Sequence, residues 1–294
     1  MSLWTLVKLV AALVVLAIMG FSGMLAYHVA VAPLGGVFER IVPNPVSIVA
    51  ETNEKEIVAM LDAEDLPDVD PGEKAFQKAH ELLALGRLPE AREKLTTIVN
   101  VFPASPSAPL ARRIIGEINL DEILANEHME GKQTHVVKPG DSFLGIVAKR
   151  DTNIDMLMHL NSMLELRNLH PGDELIVMPL NFRLLIEPRR KTVSLWDGGR
   201  FIREYVAVDM EGVPTAAKQT KIESKLAELD GKRVPPQSKN YRAAHKLIQL
   251  ANPTVYIRGW DGVVEKPASG VLLRPEDMEE LALLTRPGNE VEIR

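Results

Sequence analysis

The chain has 294 residues, of which 46% are hydrophobic, 25% charged and 5% aromatic, and its formal net charge is −6. This composition is typical of globular domains, and a net negative charge without a clustered basic face argues against nucleic-acid binding. The chain contains no cysteine, which excludes disulfides, a thiolate nucleophile and thiolate-bound metals.

The first predicted element is an uncharged, apolar run of 19 residues, 9–27. As a helix it would extend about 28 Å, close to the thickness of a membrane hydrocarbon core. Trp4 and Tyr27 bracket the run as interfacial aromatics, and Lys8 lies on its N-terminal side. Residues 1–32 are therefore predicted to be a transmembrane signal anchor with the N-terminus in the cytoplasm. A cleaved signal peptide is the alternative, because Ala-Val-Ala at 30–32 resembles a cleavage site.

Residues 33–71 contain scattered prolines, glycines and carboxylates, which predict a spacer. From Gly72 the apolar period becomes helical: Ala79 lies in a first helix, Gly86 marks a turn, and Leu95 and Ile98 line a second helix. Residues 72–126 thus resemble a single tetratricopeptide repeat. Such repeats normally need several copies. Two interpretations stay open: a hairpin that caps or spaces the next domain, or a surface that docks a protein.

The next segment predicts a compact βααβ unit over residues 131–180. A strand ends at Val137, a Pro-Gly turn follows, and Asp141 or Ser142 caps a first helix. After a second helix, Pro171 and Gly172 turn the chain into a returning strand. With a central Asn161 and these two widely separated turns, the segment is similar to a LysM domain.

The resemblance implies binding of glycans that contain N-acetylglucosamine, in bacteria usually peptidoglycan, in a shallow groove between two loops. By position, these loops are Gly140, Asp141, Ser142 and Phe143, and Asn161, Ser162, Met163 and Leu164. Backbone groups would hold the acetamido group, and Phe143 or Met163 would contact its methyl group. The alternative is a LysM fold kept for protein packing. For Asn161 we favour a role in capping or bracing the fold.

The last segment, residues 181–294, predicts strands at 182–187, 192–196, 201–208, 254–258 and 291–294, and a helix from Pro275. Its stretch Pro-Ala-Ser-Gly-Val-Leu-Leu at 267–273 resembles the active-site loop of L,D-transpeptidases, also called YkuD-like. In that family the loop reads Ser-His-Gly-Cys-x-Arg. An unrelated small β-rich domain is the alternative.

The alignment with that loop places Val271 at the family's cysteine, Ser269 at its histidine and Leu273 at its arginine, while Arg258 replaces an upstream histidine. The resemblance therefore implies a domain without its catalytic groups, and we expect no enzyme activity. Ser269 with His245 as its base is an alternative nucleophile, but no glycine-flanked elbow surrounds Ser269.

Together these patterns predict a multidomain α+β protein with a transmembrane helix, a helical hairpin, a LysM domain and a β-rich L,D-transpeptidase-like domain. The function they favour is noncatalytic attachment of the bacterial inner membrane to peptidoglycan, with most of the chain in the periplasm. The alternative is a scaffold subunit that binds other envelope proteins. The histidines and carboxylates show no metal-ligand spacing, and no cofactor is indicated.

Overall fold

The computed structural model describes residues 3–30, 70–263 and 265–294, and the chain divides into two units, residues 1–68 and 69–294. In the first unit, helix α1 covers Leu3–Ala30. Within the described parts of the chain, no helix is long and apolar enough to cross a membrane. The anchor expected at residues 1–32 stays a prediction, and the spacer expected at 33–71 lies, up to residue 69, outside the described residues.

The second unit opens with helices α2 (Pro71–Ala84), α3 (Leu88–Val101) and α4 (Ala108–Leu124). Each carries a proline in its first two positions, where the missing N–H has no helical partner to lose. Gly86, at φ +71°, ends the turn after α2, a conformation that glycine adopts without a steric cost. The helical pattern that the sequence predicts from Gly72 onward is therefore present.

These helices pack on the β-rich part of the chain through a small apolar core. Its buried members from the helices are Ala79, Leu95, Ile98, Val99, Ala108, Ala111 and Ile115. Phe201 from the β-rich part completes it, and Trp196 packs against it, with the two rings in an edge-to-face contact at 5.3 Å. The three helices thus pack against one another and against the neighbouring sheet.

The βααβ unit forms as the sequence predicts, with strands β1 (Gln133–Val136) and β2 (Glu174–Val177) and helices α5 (Phe143–Lys149) and α6 (Ile154–Leu160). The two strands pair in antiparallel register, with His135 opposite Leu175. Ser142 caps α5 by accepting a hydrogen bond from the Gly145 N–H at 3.1 Å. Local turn and capping signals therefore account for this unit.

The remaining strands form one mixed sheet. They are β3 (Arg183–Glu187), β4 (Thr192–Asp197), β5 (Arg200–Val206), β6 (Lys218–Leu229), β7 (Lys232–Arg233), β8 (His245–Leu250), β9 (Tyr256–Gly259), β10 (Val271–Leu273) and β11 (Glu290–Ile293). Their order is β10-β9-β8-β6-β11-β3-β4-β5, with β7 paired to β6. A Gly-containing turn joins β4 to β5, as predicted, and Gly198 there has φ +58°.

Two features of the sheet correct the sequence interpretation. Strands β6 and β8 were not predicted, although β6 is a long central strand. The segment interpreted as an active-site loop ends in strand β10, which pairs in parallel with β9 so that Val271 faces Ile257 across the ladder. Helix α7 (Pro275–Leu284) then begins at the predicted proline.

The hydrophobic cores cross the boundaries that the sequence predicts between segments. Leu120 of α4 and Met156 and Leu160 of α6 belong to the main core of the sheet. Conversely, Tyr241 and Ala244 belong to the core of the βααβ unit. Helix α6 is therefore buried on two faces, and residues 70–294 pack as connected layers in which the βααβ unit shares its interior with the sheet.

Candidate functional site

The first predicted glycan loop, residues 140–143, is held by contacts inside the βααβ unit. Asp141 accepts hydrogen bonds from the Lys138 N–H and from His135 Nε2, both at 2.9 Å. Gly140 is exposed at φ +88°, and Ser142 is occupied as the cap of α5. Phe143 is partly buried and packs against the core of the unit, so it retains an exposed part that a ligand can contact.

A buried histidine fixes this loop to the first strand. Arg150 Nη2 lies 3.1 Å from His135 Nδ1, and because arginine can only donate, Nδ1 accepts and Nε2 carries the proton that Asp141 accepts. The hydrogen bond from the Lys138 backbone and the one from His135 lower the pKa of the Asp141 carboxyl. Asp141 is thus a structural anion of the loop.

The second predicted loop, residues 161–164, is fastened in a different way. Asn161 Nδ2 donates to the carbonyls of Leu157 and Ile176, and Asn161 Oδ1 accepts from the Ile176 N–H, all at 2.8 Å. The two bonds to Ile176 tie the end of α6 to β2, and the bond to Leu157 closes the last turn of α6. They give Asn161 the bracing role that the sequence analysis favours, and they occupy its side-chain groups.

The other residues of the second loop divide between core and surface. Met163 is only 7% exposed and belongs to the core of the unit, so its side chain offers little surface to a ligand. Leu164 beside it is 76% exposed, and Ser162, at φ +52°, receives a hydrogen bond from Asn126 Nδ2 at 3.3 Å. Leu164 is therefore the apolar side chain that this loop offers to a ligand.

An open concavity of about 380 Å³ lies beside the second loop. Its lining combines backbone, apolar and charged groups from Asn161, Ser162, Met163, Leu164, Glu165, Arg167, Glu174 and Leu175. Of the described residues, those of the first loop do not line it. The structure thus brings the second loop together with the start of β2 around one cavity, and leaves the first loop outside that cavity.

A second cavity of about 320 Å³ lies in the sheet region, and Arg258 lines it. The Arg258 guanidinium stacks 5.3 Å from the Tyr256 ring, and its buried Nε has no hydrogen-bond partner among the described residues. Other lining groups are Trp260, Asp261, Glu228, Asp230, Lys246, Glu279 and His245. The cavity offers charged and aromatic groups for binding.

Of the four predicted degenerate positions, Arg258 lines this cavity, and Ser269, Val271 and Leu273 do not. Val271 and Leu273 lie in β10 with no exposed surface and belong to the main core. Ser269 is exposed but does not line the cavity, whereas His245 does. The structure therefore does not bring Ser269 and His245 together in this cavity. Among the described residues, no cluster of histidines and carboxylates could hold a metal ion.

Several polar residues join the βααβ unit to its neighbours through contacts that no sequence pattern singles out. Lys132 Nζ donates to the carbonyls of Glu122, Ala125 and His128 at the end of α4, and burial lowers the pKa of this ammonium. Asn153 caps α6 through Met156 N–H, and its Nδ2 donates to carbonyls at the end of α7. The capping role is visible in the sequence, but the carbonyls of α7 are not.

An ion cluster is buried where α6 meets the sheet. Asp155 Oδ2 lies 2.5 Å from Lys225 Nζ and Asp155 Oδ1 lies 3.7 Å from Lys246 Nζ, and all three side chains are at most 10% exposed. The Tyr241 hydroxyl donates to Asp155 at 3.3 Å. Desolvation lowers the pKa of Lys225, and burial raises the pKa of Tyr241. One carboxylate thus compensates two lysines at this contact.

Residues 135–177 match the family model described as LysM domain. This assigns the βααβ unit with its two loops to that family, as the sequence resemblance predicts. Among curated protein sequences, none matches the chain.

Solved structures similar to part of the chain include an L,D-transpeptidase from Mycobacterium smegmatis, at 11% identity over 42% of this chain and 63% of that chain, with a TM-score of 0.29. A mutant L,D-transpeptidase from Enterococcus faecium matches at 14% identity over 39% of this chain and 50% of that chain, with a TM-score of 0.28. One from Stackebrandtia nassauensis matches at 16% identity over 39% and 55%, with a TM-score of 0.29. This chain spans less than two thirds of each of these solved chains.

Proposed function

We propose that this protein binds peptidoglycan through its LysM domain and does so without catalysis. The observation that carries the proposal is the LysM match at residues 135–177, on a βααβ unit with an open concavity beside its second loop. LysM domains bind glycan chains of peptidoglycan. Exposed backbone groups around Gly140 and Ser162 would hold the acetamido groups, and Leu164 and Phe143 would contact apolar parts of the sugar.

The noncatalytic part of the proposal rests on the chemistry of the cavity at Arg258. Its wall presents a guanidinium, carboxylates and an imidazole, and the chain has no cysteine that could act as a nucleophile. The two residues at the positions of the family's cysteine and arginine, Val271 and Leu273, are buried apolar core residues. They can stabilise the sheet but cannot react with a substrate.

The location of the protein is a further part of the proposal. The apolar run at residues 9–27 supports a single-pass anchor in the bacterial inner membrane, with the LysM domain in the periplasm. A tether of this kind keeps a weak glycan site close to many copies of its ligand, so that useful retention does not require a tight single site. The protein would thereby link the membrane to the wall.

A scaffold role in a cell-envelope assembly is the second candidate, and the buried faces of α6 favour it. Asn153, Asp155 and Met156 of the LysM domain pack against other parts of this chain, and this use of the fold for protein contacts supports a docking role. A scaffold would use the remaining surface for other envelope proteins. Stable partners that purify with the protein, without retention on peptidoglycan, would favour this candidate.

The test is sedimentation of the full chain with insoluble peptidoglycan sacculi, in competition with soluble chitin oligomers. We expect the protein to pellet, chitin oligomers to release it, and Leu164→Asp to weaken retention about fivefold, because the substitution replaces an exposed apolar contact with a charge. Leu85→Asp is the matched control, since Leu85 is 69% exposed and lies outside the LysM domain. Failure of the unmodified protein to pellet would contradict glycan binding.

A further inference from the structure

Arg242 connects the sheet region to the second loop of the LysM domain. Its Nη1 donates a hydrogen bond to the Met163 carbonyl at 2.8 Å, although the two residues lie 79 positions apart in the sequence. A guanidinium bond to a carbonyl is a charge-assisted hydrogen bond and is stronger than a neutral one. The loop backbone is thus held by a residue that lies outside the LysM match at 135–177.

The turn that carries Arg242 is itself fixed. Lys246 Nζ donates to the carbonyls of Tyr241 and Ala244, which flank Arg242, and both distances are 2.9 Å. Lys246 is 3% exposed and Tyr241 7% exposed, and Tyr241 packs in the LysM core. Arg242 therefore extends from a turn that is anchored on both sides.

The contact acts on the part of the loop that faces solvent. The Met163 side chain points into the core, while its neighbours Ser162 and Leu164 are exposed and line the concavity beside the loop. Because Arg242 holds the peptide group between Met163 and Leu164, it limits where the Leu164 side chain can lie. Asn126, from the segment before β1, holds Ser162 at 3.3 Å. Both contacts come from outside residues 135–177.

We infer that Arg242 is a positioning residue of the glycan site, and that the LysM site is complete only when the domain is docked on the sheet. The inference rests on the proposed function. Arg242 does not contact the glycan, but it holds the second loop in the conformation that binds. Loss of this preorganisation transfers the cost of ordering the loop to the binding step.

The experiment compares the full chain with Arg242→Ala, Arg242→Lys and the control Arg190→Ala. Arg190 is also an exposed arginine, and it pairs with Glu187 at 3.2 Å, away from the LysM domain. Affinity for a chitin hexamer and hydrogen exchange of the Ser162 and Met163 amides are measured for each. These amides report the loop, since they donate to the His159 and Met158 carbonyls.

We expect Arg242→Ala to weaken hexamer binding about fivefold and to speed exchange at both amides, with the melting temperature nearly unchanged because Arg242 is exposed. Arg242→Lys should retain part of the hexamer affinity and part of the slow amide exchange, because an ammonium can still donate to one carbonyl. Arg190→Ala should change neither. Equal loop exchange in Arg242→Ala and the unmodified protein would overturn the positioning role. If exchange at the two amides changed as expected but neither the unmodified protein nor any variant bound the hexamer, the proposed function would be refuted instead.

Discussion

The first and second loops of the LysM domain differ in what holds them. Residues 140–143 are fixed by partners within the domain, namely His135, Lys138 and the cap of α5. Residues 161–164 are fixed by Asn161 within the domain and by Arg242 and Asn126 from outside it. One side of the site is therefore self-contained, and the other side depends on the neighbouring layers of the molecule.

A small domain can obtain part of its rigidity from its neighbours. A short βααβ unit has little interior of its own. Here one face of α6 packs in the core of the unit and another face packs in the core of the sheet. The second loop begins directly after α6, the helix that packs in both cores. Changes at the docking contact should therefore affect the second loop and leave the first loop unchanged.

Asp155→Ala should destabilise the protein more than any other variant proposed below. Removing this carboxylate leaves Lys225 and Lys246 buried without their shared counter-ion, and breaking a buried pair in this way costs about 3–5 kcal/mol of the free energy of unfolding. Chemical denaturation of the full chain measures this loss. Hydrogen exchange should rise at the Ser162 and Met163 amides and stay low at the Gly145 amide of α5, which donates to Ser142 of the first loop.

Asp121→Ala is the matched control for this variant, because Asp121 is an exposed aspartate on helix α4. It should change the free energy of unfolding by less than about 0.5 kcal/mol. If Asp155→Ala raised hydrogen exchange equally in the two loops, the claim that only the second loop depends on contacts outside the LysM domain would be wrong.

The same contrast explains what the sequence could and could not predict. The strands, turns and caps of residues 131–180 follow from local signals such as the two Pro-Gly turns and Ser142, and the structure confirms them. The Arg242 bond to Met163 joins residues 79 positions apart, and the Asp155 contacts join residues at least 70 positions apart. No local sequence signal pairs these residues.

The sequence also did not predict how deeply two apolar side chains are buried. Met163 reads as an apolar loop residue in the sequence, yet it belongs to a core that Tyr241 and Ala244 join from far along the chain. Val271 reads as part of a degenerate loop, whereas its pairing with β9 makes it a core strand residue. In both cases a nonlocal contact decides the environment of the side chain, and hydrophobicity alone does not show it.

A smaller effect is expected from Asn161→Ala. The variant removes two hydrogen bonds from the end of α6 to Ile176 of β2 and one to the Leu157 carbonyl within α6, which should lower the free energy of unfolding by about 2 kcal/mol. Asn168→Ala, at an exposed asparagine in the following loop, is the control and should be nearly neutral. If Asn161→Ala abolished glycan binding and left stability unchanged, Asn161 would be a ligand contact and not a brace.

The smallest effect is a pH dependence confined to the first loop, tested with Asp141→Asn. The backbone N–H of Lys138 and the His135 ring stabilise the Asp141 carboxylate, so its pKa in the folded protein lies below the ordinary value of 3.8. A depressed carboxyl pKa contributes stability that is present above pH 3.8 and is lost as the pH falls through the folded-state pKa.

The melting temperature of the unmodified protein should therefore exceed that of Asp141→Asn above this range, and the difference should shrink as the solution becomes more acidic. The protection of the Gly145 amide against exchange should follow the same pH dependence, while that of the Met163 amide in the second loop should not, because the Asp141 carboxylate is bonded to His135 and Lys138 beside the first loop. A parallel pH response of both amides would mean that the two loops unfold together. The domain would then be rigid as a whole, and the neighbours would hold both sides of the site.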